Sequence, residues 1–72
     1  MNKNEVELEL IHKLYPVGTR VVLDFMDDEH APPIGTHGTV TAIDSIGTIH
    51  VAWDNRNGLG LIYGKDKFHK EE

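Results

Sequence analysis

Residues 35–61 constrain the fold of this chain more than any other segment. Two runs rich in β-branched residues, 37–43 and 48–53, flank the short turn at 45–47. A polar turn follows, and a further apolar run begins at Leu59. Alternating apolar residues separated by short turns rich in Gly, Asn and Asp are typical of antiparallel hairpins. The segment therefore predicts a small, tightly wound β-meander.

Further strands are predicted on either side of this meander. Val21, Leu23 and Phe25 recur at period two and form one face of a first strand. An irregular loop over 26–36, with three consecutive acids and two prolines, joins that strand to the meander. A helical turn at 64–67 precedes a brief last strand. The predicted strands are residues 19–25, 37–43, 48–53, 59–62 and 68–70.

This strand pattern predicts a mainly β fold, a small SH3-like five-stranded barrel with a short N-terminal helix. A nearly closed sheet hides its edges, which is why small β domains favour it. The inward face is expected to bury Val21, Leu23, Val40, Ile49, Val51 and Leu61. We expect Gly35, Gly38 and Gly60 where the curled sheet bends or where its strands approach closely.

Residues 4–14 predict the helix, because Val6, Leu10, Ile11 and Leu14 recur at helical spacing. Asn4 and Glu7 have the spacing of a capping box. The alternation of Val6, Leu8 and Leu10 also permits a strand. A helix this short is marginal alone, so it should persist only if its apolar stripe docks on the barrel or on a partner. The predicted division is a helical extension over 1–14 and an SH3-like barrel over 15–70.

The composition restricts the setting in which the chain works. Seventy-two residues make one domain. The absence of cysteine excludes disulfides and thiolate metal sites. No apolar run approaches the ~18 residues that a membrane helix needs, and no signal-peptide region is visible. These features predict a soluble cytoplasmic protein without a membrane partner.

The charge balance argues against direct contact with nucleic acid. Twelve Asp and Glu residues stand against seven Lys and Arg residues. Between Tyr15 and Tyr63 the only Lys or Arg residues are Arg20 and Arg56. Because a phosphate backbone requires a basic face, this balance favours a protein partner.

No arrangement of residues in the sequence indicates catalysis or metal binding. His30, His37 and His50 lack the ligand spacing of known metal motifs. Ser45 lies in a hairpin turn with no base arranged beside it. We therefore predict that the protein is not an enzyme, has no catalytic residue, and holds neither a metal nor another cofactor.

Several short motifs are similar to a known family. They read Tyr-Pro-Val-Gly-Thr-Arg-Val at 15–21, Met-Asp-Asp at 26–28, Pro-Ile-Gly-Thr-His-Gly-Thr-Val at 33–40, Gly-Thr-Ile-His-Val-Ala-Trp-Asp-Asn at 47–55 and Leu-Gly-Leu at 59–61, with Asp66 and Phe68. In order and spacing they resemble domain-of-unknown-function family 4314 of Gram-positive bacteria and their phages, over about residues 15–68. The resemblance implies a small SH3-like barrel with no established activity and carries over no catalytic residue. One departure concerns Arg56, which follows Asp-Asn where the family often has a glycine, and it puts the tight-turn geometry in question.

The acidic loop is the leading candidate for a binding site. Asp27, Asp28 and Glu29 are consecutive in the long first loop. The corresponding loop of eukaryotic SH3 domains is acidic and receives a basic residue of a proline-rich ligand. The alternative is a solvated loop that only keeps the protein soluble. Tyr15 and Tyr63 are the aromatic residues expected to be exposed beside the loop, where they would supply flat contact area.

The other aromatic residues are expected to pack inside. Trp53 lies on the face of Ile49 and Val51, which favours burial, and Phe68 is expected to close one end of the barrel.

The sequence favours a non-enzymatic SH3-like module for protein–protein interaction. Two alternatives stay open in nucleic-acid biology: direct binding through a basic patch, or acidic inhibition of a nucleic-acid-binding host protein. A third is a structural subunit that docks through its helix. The residues for a basic patch are Arg20, Arg56, Lys65 and Lys67.

Overall fold

The computed structural model describes residues 3–72, with the side chains described from Asn4 onward. One helix and five strands follow one another along the chain. They are α1 (Lys3–Leu14), β1 (Arg20–Phe25), β2 (His37–Ile43), β3 (Thr48–Trp53), β4 (Leu61–Ile62) and β5 (Lys67–Lys70). The predicted helix and strands are therefore present, with most boundaries within one residue of those expected.

The predicted fourth strand is shorter than the sequence suggested. β4 begins at Leu61, and residues 59–60 lie outside it. The carbonyl of Leu59 accepts a hydrogen bond from the indole Nε1 of Trp53 at 2.7 Å, and its amide donates to the side chain of Asn57 at 2.8 Å. Because side chains already satisfy the amide and the carbonyl of Leu59, this residue does not join the strand ladder.

The five strands form one antiparallel sheet in the order β4-β3-β2-β1-β5. β1 lies between β2 and β5, and β3 lies between β2 and β4. Within residues 3–72, no ladder joins the edge strands β4 and β5, so the sheet is not closed. The mainly β class, the five strands and the short helix are confirmed, whereas closure into a barrel is not shown.

One face of the sheet carries the core. All six residues predicted to be buried are buried: Val21, Leu23, Val40, Ile49, Val51 and Leu61. Trp53 and Ile11 join the same cluster. Gly38 makes room for it, since a Cβ there would lie 2.5 Å from Cγ1 of Val51 and 2.8 Å from Cε3 of Trp53. The predicted close approach at this glycine is confirmed.

Two β-bulges interrupt the sheet. The register shifts between Leu23 and Phe25 against β5, and between Val40 and Ala42 against β3. A bulge bends its strand and changes which face the following side chains occupy. Phe25, which the alternation places beside Val21 and Leu23, is therefore 53% exposed. Its predicted position on the inward face is wrong for this reason.

The helix docks on the sheet through part of its apolar stripe. Ile11 is buried in the core, whereas Val6 and Leu10 are exposed. The amide of Tyr15 donates to the carbonyl of Ile11 at 2.8 Å at the end of the helix, just before Pro16. The described part of the chain contains no helix with the length and hydropathy needed to span a bilayer.

A buried carboxylate shapes the turn between β4 and β5. Oδ2 of Asp66 accepts a hydrogen bond from the amide of Ile62 at 2.8 Å. The amide of Asp66 donates back to the carbonyl of Ile62 at 2.9 Å. These reciprocal bonds satisfy polar groups that would be costly to leave unpaired. They close a turn over residues 63–66, in which Gly64 has a φ of +87°, and Lys67 already begins β5. The helical turn predicted at 64–67 is therefore wrong: a left-handed residue replaces it.

Candidate functional site

The β1–β2 loop presents its acidic residues outward in an ordered turn. Asp27, Asp28 and Glu29 are all exposed. Oδ1 of Asp28 accepts from the amide of His30 at 2.7 Å, and the carbonyl of Asp28 accepts from the amide of Ala31 at 3.0 Å. An Asp side chain that accepts from the backbone two residues later is typical of a local turn. The loop tip is therefore a defined structure and offers its carboxylates to solvent.

A second contact connects this loop to the rest of the molecule. Nδ2 of Asn57, in the loop between β3 and β4, donates to the carbonyl of His30 at 2.7 Å. Asn57 is itself held in its turn, because its amide donates to the side chain of Asn55 at 3.0 Å. The acidic tip therefore rests against the β3–β4 loop.

Apolar side chains are exposed at both ends of the acidic loop. Phe25 ends β1 and Ile34 precedes β2, and Ile34 is 70% exposed. Between them, Met26 packs partly on the core and Pro32 is buried. The loop thus combines a charged tip with apolar flanks.

The two candidate tyrosines lie together in an aromatic cluster. The ring centroids of Tyr15 and Tyr63 are 6.2 Å apart, and those of Tyr15 and Phe68 are 5.0 Å apart, both in tilted arrangements. Nζ of Lys70 lies 5.5 Å from the centroid of the Tyr15 ring. Burial raises the pKa of the Tyr15 hydroxyl above its ordinary value, and the neighbouring Tyr63 adds to the effect.

The two tyrosines are less exposed than expected. Tyr15, Tyr63 and Phe68 are half-buried and pack against the core. The reason is that Tyr15 follows directly after the docked end of α1 and is covered by its neighbours. The structure thus brings the two tyrosines together, while the acidic loop contacts the β3–β4 loop.

A charged network that the sequence analysis missed links three distant parts of the chain. Nε of Arg20 lies 3.3 Å from Oε2 of Glu71, and the same oxygen lies 2.6 Å from Nδ1 of His37. Arg20 also forms a bidentate pair with Asp54, with the shorter contact at 2.7 Å. The partners lie 34 or 51 residues away from Arg20. No local sequence signal could have indicated such pairs.

The network changes the acidity of its carboxylates. The hydrogen bonds from Arg20 lower the pKa of Asp54 below its ordinary value. The hydrogen bond with His37, followed by the charge of Arg20, lowers the pKa of Glu71. The amide of Glu71 also donates to the carbonyl of Arg20 at 3.0 Å. Both the backbone and the side chain of Glu71 are therefore bonded to Arg20 of β1.

The histidines pair with carboxylates at separate places. His50 lies 2.9 Å from Asp44, and His69 lies 2.8 Å from Asp24. His30, in the acidic loop, lies 3.4 Å from Glu29. Among the described residues, no three His, Cys, Asp or Glu side chains are grouped so that they could hold a metal ion. The lack of a metal or other cofactor stays a prediction.

The turn at Arg56 keeps the geometry that a glycine would favour. Arg56 has a φ of +70°. Its amide donates to the carbonyl of Trp53 at 2.8 Å, which closes the turn. A positive φ is disfavoured for residues with a Cβ, whereas glycine adopts it freely. Arg56, which stands where the family often has a glycine, therefore keeps the turn intact but adopts a strained backbone conformation there.

Comparisons with known proteins identify the family. No curated protein and no solved structure matches the chain at a significant level. The family model described as Domain of unknown function (DUF4314) matches residues 4–71. The match includes helix α1 and is therefore wider than the similarity seen in the motifs at 15–68. The chain belongs to the family Domain of unknown function (DUF4314).

Proposed function

We propose that this protein is a non-enzymatic interaction module whose β1–β2 loop binds a basic segment of a partner protein. One observation carries the proposal. Three exposed carboxylates stand at the tip of an ordered loop that is flanked by the exposed side chains of Phe25 and Ile34. The carboxylates attract and orient a cationic segment, and the apolar flanks supply the area that it buries.

The order of the loop supports this role. Binding a mobile loop costs conformational entropy, and a loop that is already held in place avoids part of that cost. The bond from Asn57 to His30 and the turn at Asp28 hold the tip before any partner arrives. Tyr15 and Tyr63 belong to the proposal as a second, partly exposed contact area of aromatic character.

We further propose that the sheet has the curled architecture of an SH3-like barrel. The strand order β4-β3-β2-β1-β5 and the two bulges support strong curvature. Ile11 is the residue of α1 in the buried core cluster, and the other members of that cluster lie on the strands. The sheet must therefore curl so that it covers much of its own inner face. The origin in bacteria or phages and the cytoplasmic location stay predictions.

The test is a selection of peptides from a random display library on the immobilised protein. We expect the enriched peptides to carry a net positive charge and apolar residues. The test variant is Asp27→Asn with Glu29→Gln, which leaves Asp28 to hold the turn. The control variant is Glu9→Gln with Glu72→Gln, which removes two exposed charges from elsewhere in the chain.

The proposal requires that an enriched basic peptide bind the loop variant several-fold more weakly than the wild type. The salt dependence of its affinity should also flatten, because two charges at the contact are lost. The control variant should lose much less. Enriched peptides that are neutral or acidic, or that bind the loop variant as well as the wild type, would remove the β1–β2 loop from the function.

A further inference from the structure

The turn between β2 and β3 holds an apolar side chain out into solvent. Ile46 is 86% exposed at the tip of this turn. Oδ1 of Asp44 accepts from the amide of Ile46 at 3.1 Å and from the amide of Thr48 at 2.9 Å. Gly47 completes the turn with a φ of +88°. The position of Ile46 is therefore imposed by an ordered backbone.

An isoleucine is an unusual residue at such a position. Exposed turn tips favour Gly, Asn, Asp, Ser and Pro, each of which suits the backbone or the solvent. Places where a sequence departs from such a local rule without a gain in packing are expected at functional sites. Ile46 contributes little to the core, so its side chain is available to contact a ligand beside the turn.

Ile46 lies at the rim of a cleft of about 240 Å³ between α1 and the turn. Leu8 and Ile11 line the helix side, and Gly47 lines the turn side. A Cβ on Gly47 would lie 3.5 Å from Cδ1 of Ile11, so the two walls meet at this glycine. The cleft therefore has an apolar floor with Ile46 as an apolar lip.

The rest of the cleft lining is polar and includes a carboxylate. Asn4 and Glu7 of α1 line the cleft, as does Ser45 of the turn. An apolar floor beside an anion suits an apolar side chain that has a cationic neighbour. We propose that this cleft, the α1–turn cleft, binds an apolar side chain of a basic segment of a partner protein. Leu8 and Ile46 enclose the apolar group, and Glu7 pairs with the adjacent cation.

Charge selects this occupant over the others that an apolar cleft can take. The chain has a formal net charge of −5, and Glu7 is the charged residue in the lining of the cleft. A second copy would bring the same net negative charge. A membrane surface and a nucleic acid are also anionic, and Glu7 at the rim opposes both. A basic protein segment is the occupant whose charge complements the cleft.

The inference concerns a different surface from the β1–β2 loop and is tested separately. The ¹⁵N-labelled full chain is titrated with a five-residue probe peptide of alternating Lys and Leu, blocked at both ends. The matched control probe replaces each Lys by Glu and keeps the same apolar groups. We expect the basic probe alone to shift the backbone amide signals of Leu8, Ser45, Ile46 and Gly47.

Four variants test whether the binding belongs to the cleft. Ile46→Ser should weaken the affinity reported by the cleft signals about tenfold, because the apolar lip is removed. Val17→Ser changes a side chain that is 69% exposed elsewhere and should leave that affinity unchanged. Glu7→Gln should weaken it about threefold and flatten its salt dependence. Asp27→Asn with Glu29→Gln should leave the cleft signals as in the wild type, even if the β1–β2 loop proposal fails.

The proposal is overturned if the acidic probe shifts the same signals equally, or if Ile46→Ser binds the basic probe like the wild type. It is also overturned if the shifts are confined to the β1–β2 loop. Sedimentation of the unliganded protein tests the remaining occupant. A dimer that becomes monomeric in Ile46→Ser would assign the cleft to a second copy instead of a basic peptide.

Discussion

Arg20 and Asp54 form a bidentate pair across the central strand of the sheet. Nη1 of Arg20 lies 2.9 Å from Oδ1 of Asp54, and Nη2 lies 2.7 Å from Oδ2. Arg20 begins β1 and Asp54 follows β3, so the pair spans β2, where Thr39 also accepts from Nη1 at 3.0 Å. Hydrogen bonding with Asp54 raises the pKa of Arg20 above its ordinary value. The cation is thus engaged in planar, charge-assisted bonds.

This pairing bears on nucleic-acid binding. One of the two cations between Tyr15 and Tyr63 already faces two carboxylates, those of Asp54 and Glu71. Phosphate contacts depend on free positive charge. We therefore predict that a labelled 20-base-pair duplex shows a dissociation constant weaker than ~100 µM at physiological salt in fluorescence anisotropy. Salt-sensitive micromolar binding would instead support direct contact through Arg56, Lys65 and Lys67.

The carboxylates with lowered pKa predict a loss of stability in acid. Hydrogen bonding with His50, followed by the backbone amide of Thr48, lowers the pKa of Asp44, and the pKa values of Asp54 and Glu71 are lowered as described. A group whose pKa is lower in the folded state stabilises the fold above its unfolded pKa, about 4. That contribution is lost as the pH falls through the folded pKa.

The midpoint of urea unfolding should therefore fall as the pH decreases from about 5 to about 2.5. The effect is modest and weaker in high salt, because these groups are exposed. Asp54→Asn removes one titrating group and retains one oxygen acceptor, so its midpoint should fall less over the same range. A wild-type midpoint that is constant below pH 4, or an equal fall in the variant, would contradict this prediction.

Leu23 tests the assignment of the core. It is buried in the middle of β1 and pairs with Phe68 of β5. Leu23→Ala should reduce the free energy of unfolding by ~2–5 kcal/mol, which is a large part of the stability expected for so small a domain. Ile62→Ala changes a side chain that is 48% exposed and should cost much less. Equal melting temperatures for the two variants would mean that the inward face is wrongly assigned.

Arg56 tests the strain in the turn after β3. Arg56→Gly should increase the free energy of unfolding by ~1 kcal/mol, because a glycine adopts a φ of +70° without the Cβ clash. Arg56→Ala is the matched control, since it removes the same charge and keeps the Cβ. Chemical denaturation of both variants separates strain from charge. A stabilisation shared by Arg56→Ala would trace the effect to the charge.

Much of the fold followed from the sequence, because strands and turns depend on residues that are close together in the chain. The alternation of Val21 and Leu23, and of Ile49 and Val51, predicted which side chains face inward. The short turn predicted at 45–47 is present between β2 and β3, and Gly47 there has a φ of +88°, which glycine adopts freely. Local sterics and period-two geometry are sufficient for such predictions.

Tertiary structure alone decided where these elements meet. The bulge after Leu23 leaves Phe25 exposed, and the alternation of apolar residues in the sequence does not predict where a bulge occurs. The charged network joins Arg20 to Asp54 and Glu71, which lie 34 and 51 positions away in the sequence. The α1–turn cleft brings together Leu8 and Ile46, which are 38 positions apart. Such contacts depend on the register and curvature of the whole sheet and on the docking of α1. A sequence read element by element does not specify them, because the energy of a long-range pair is defined only once the backbone brings its members into contact.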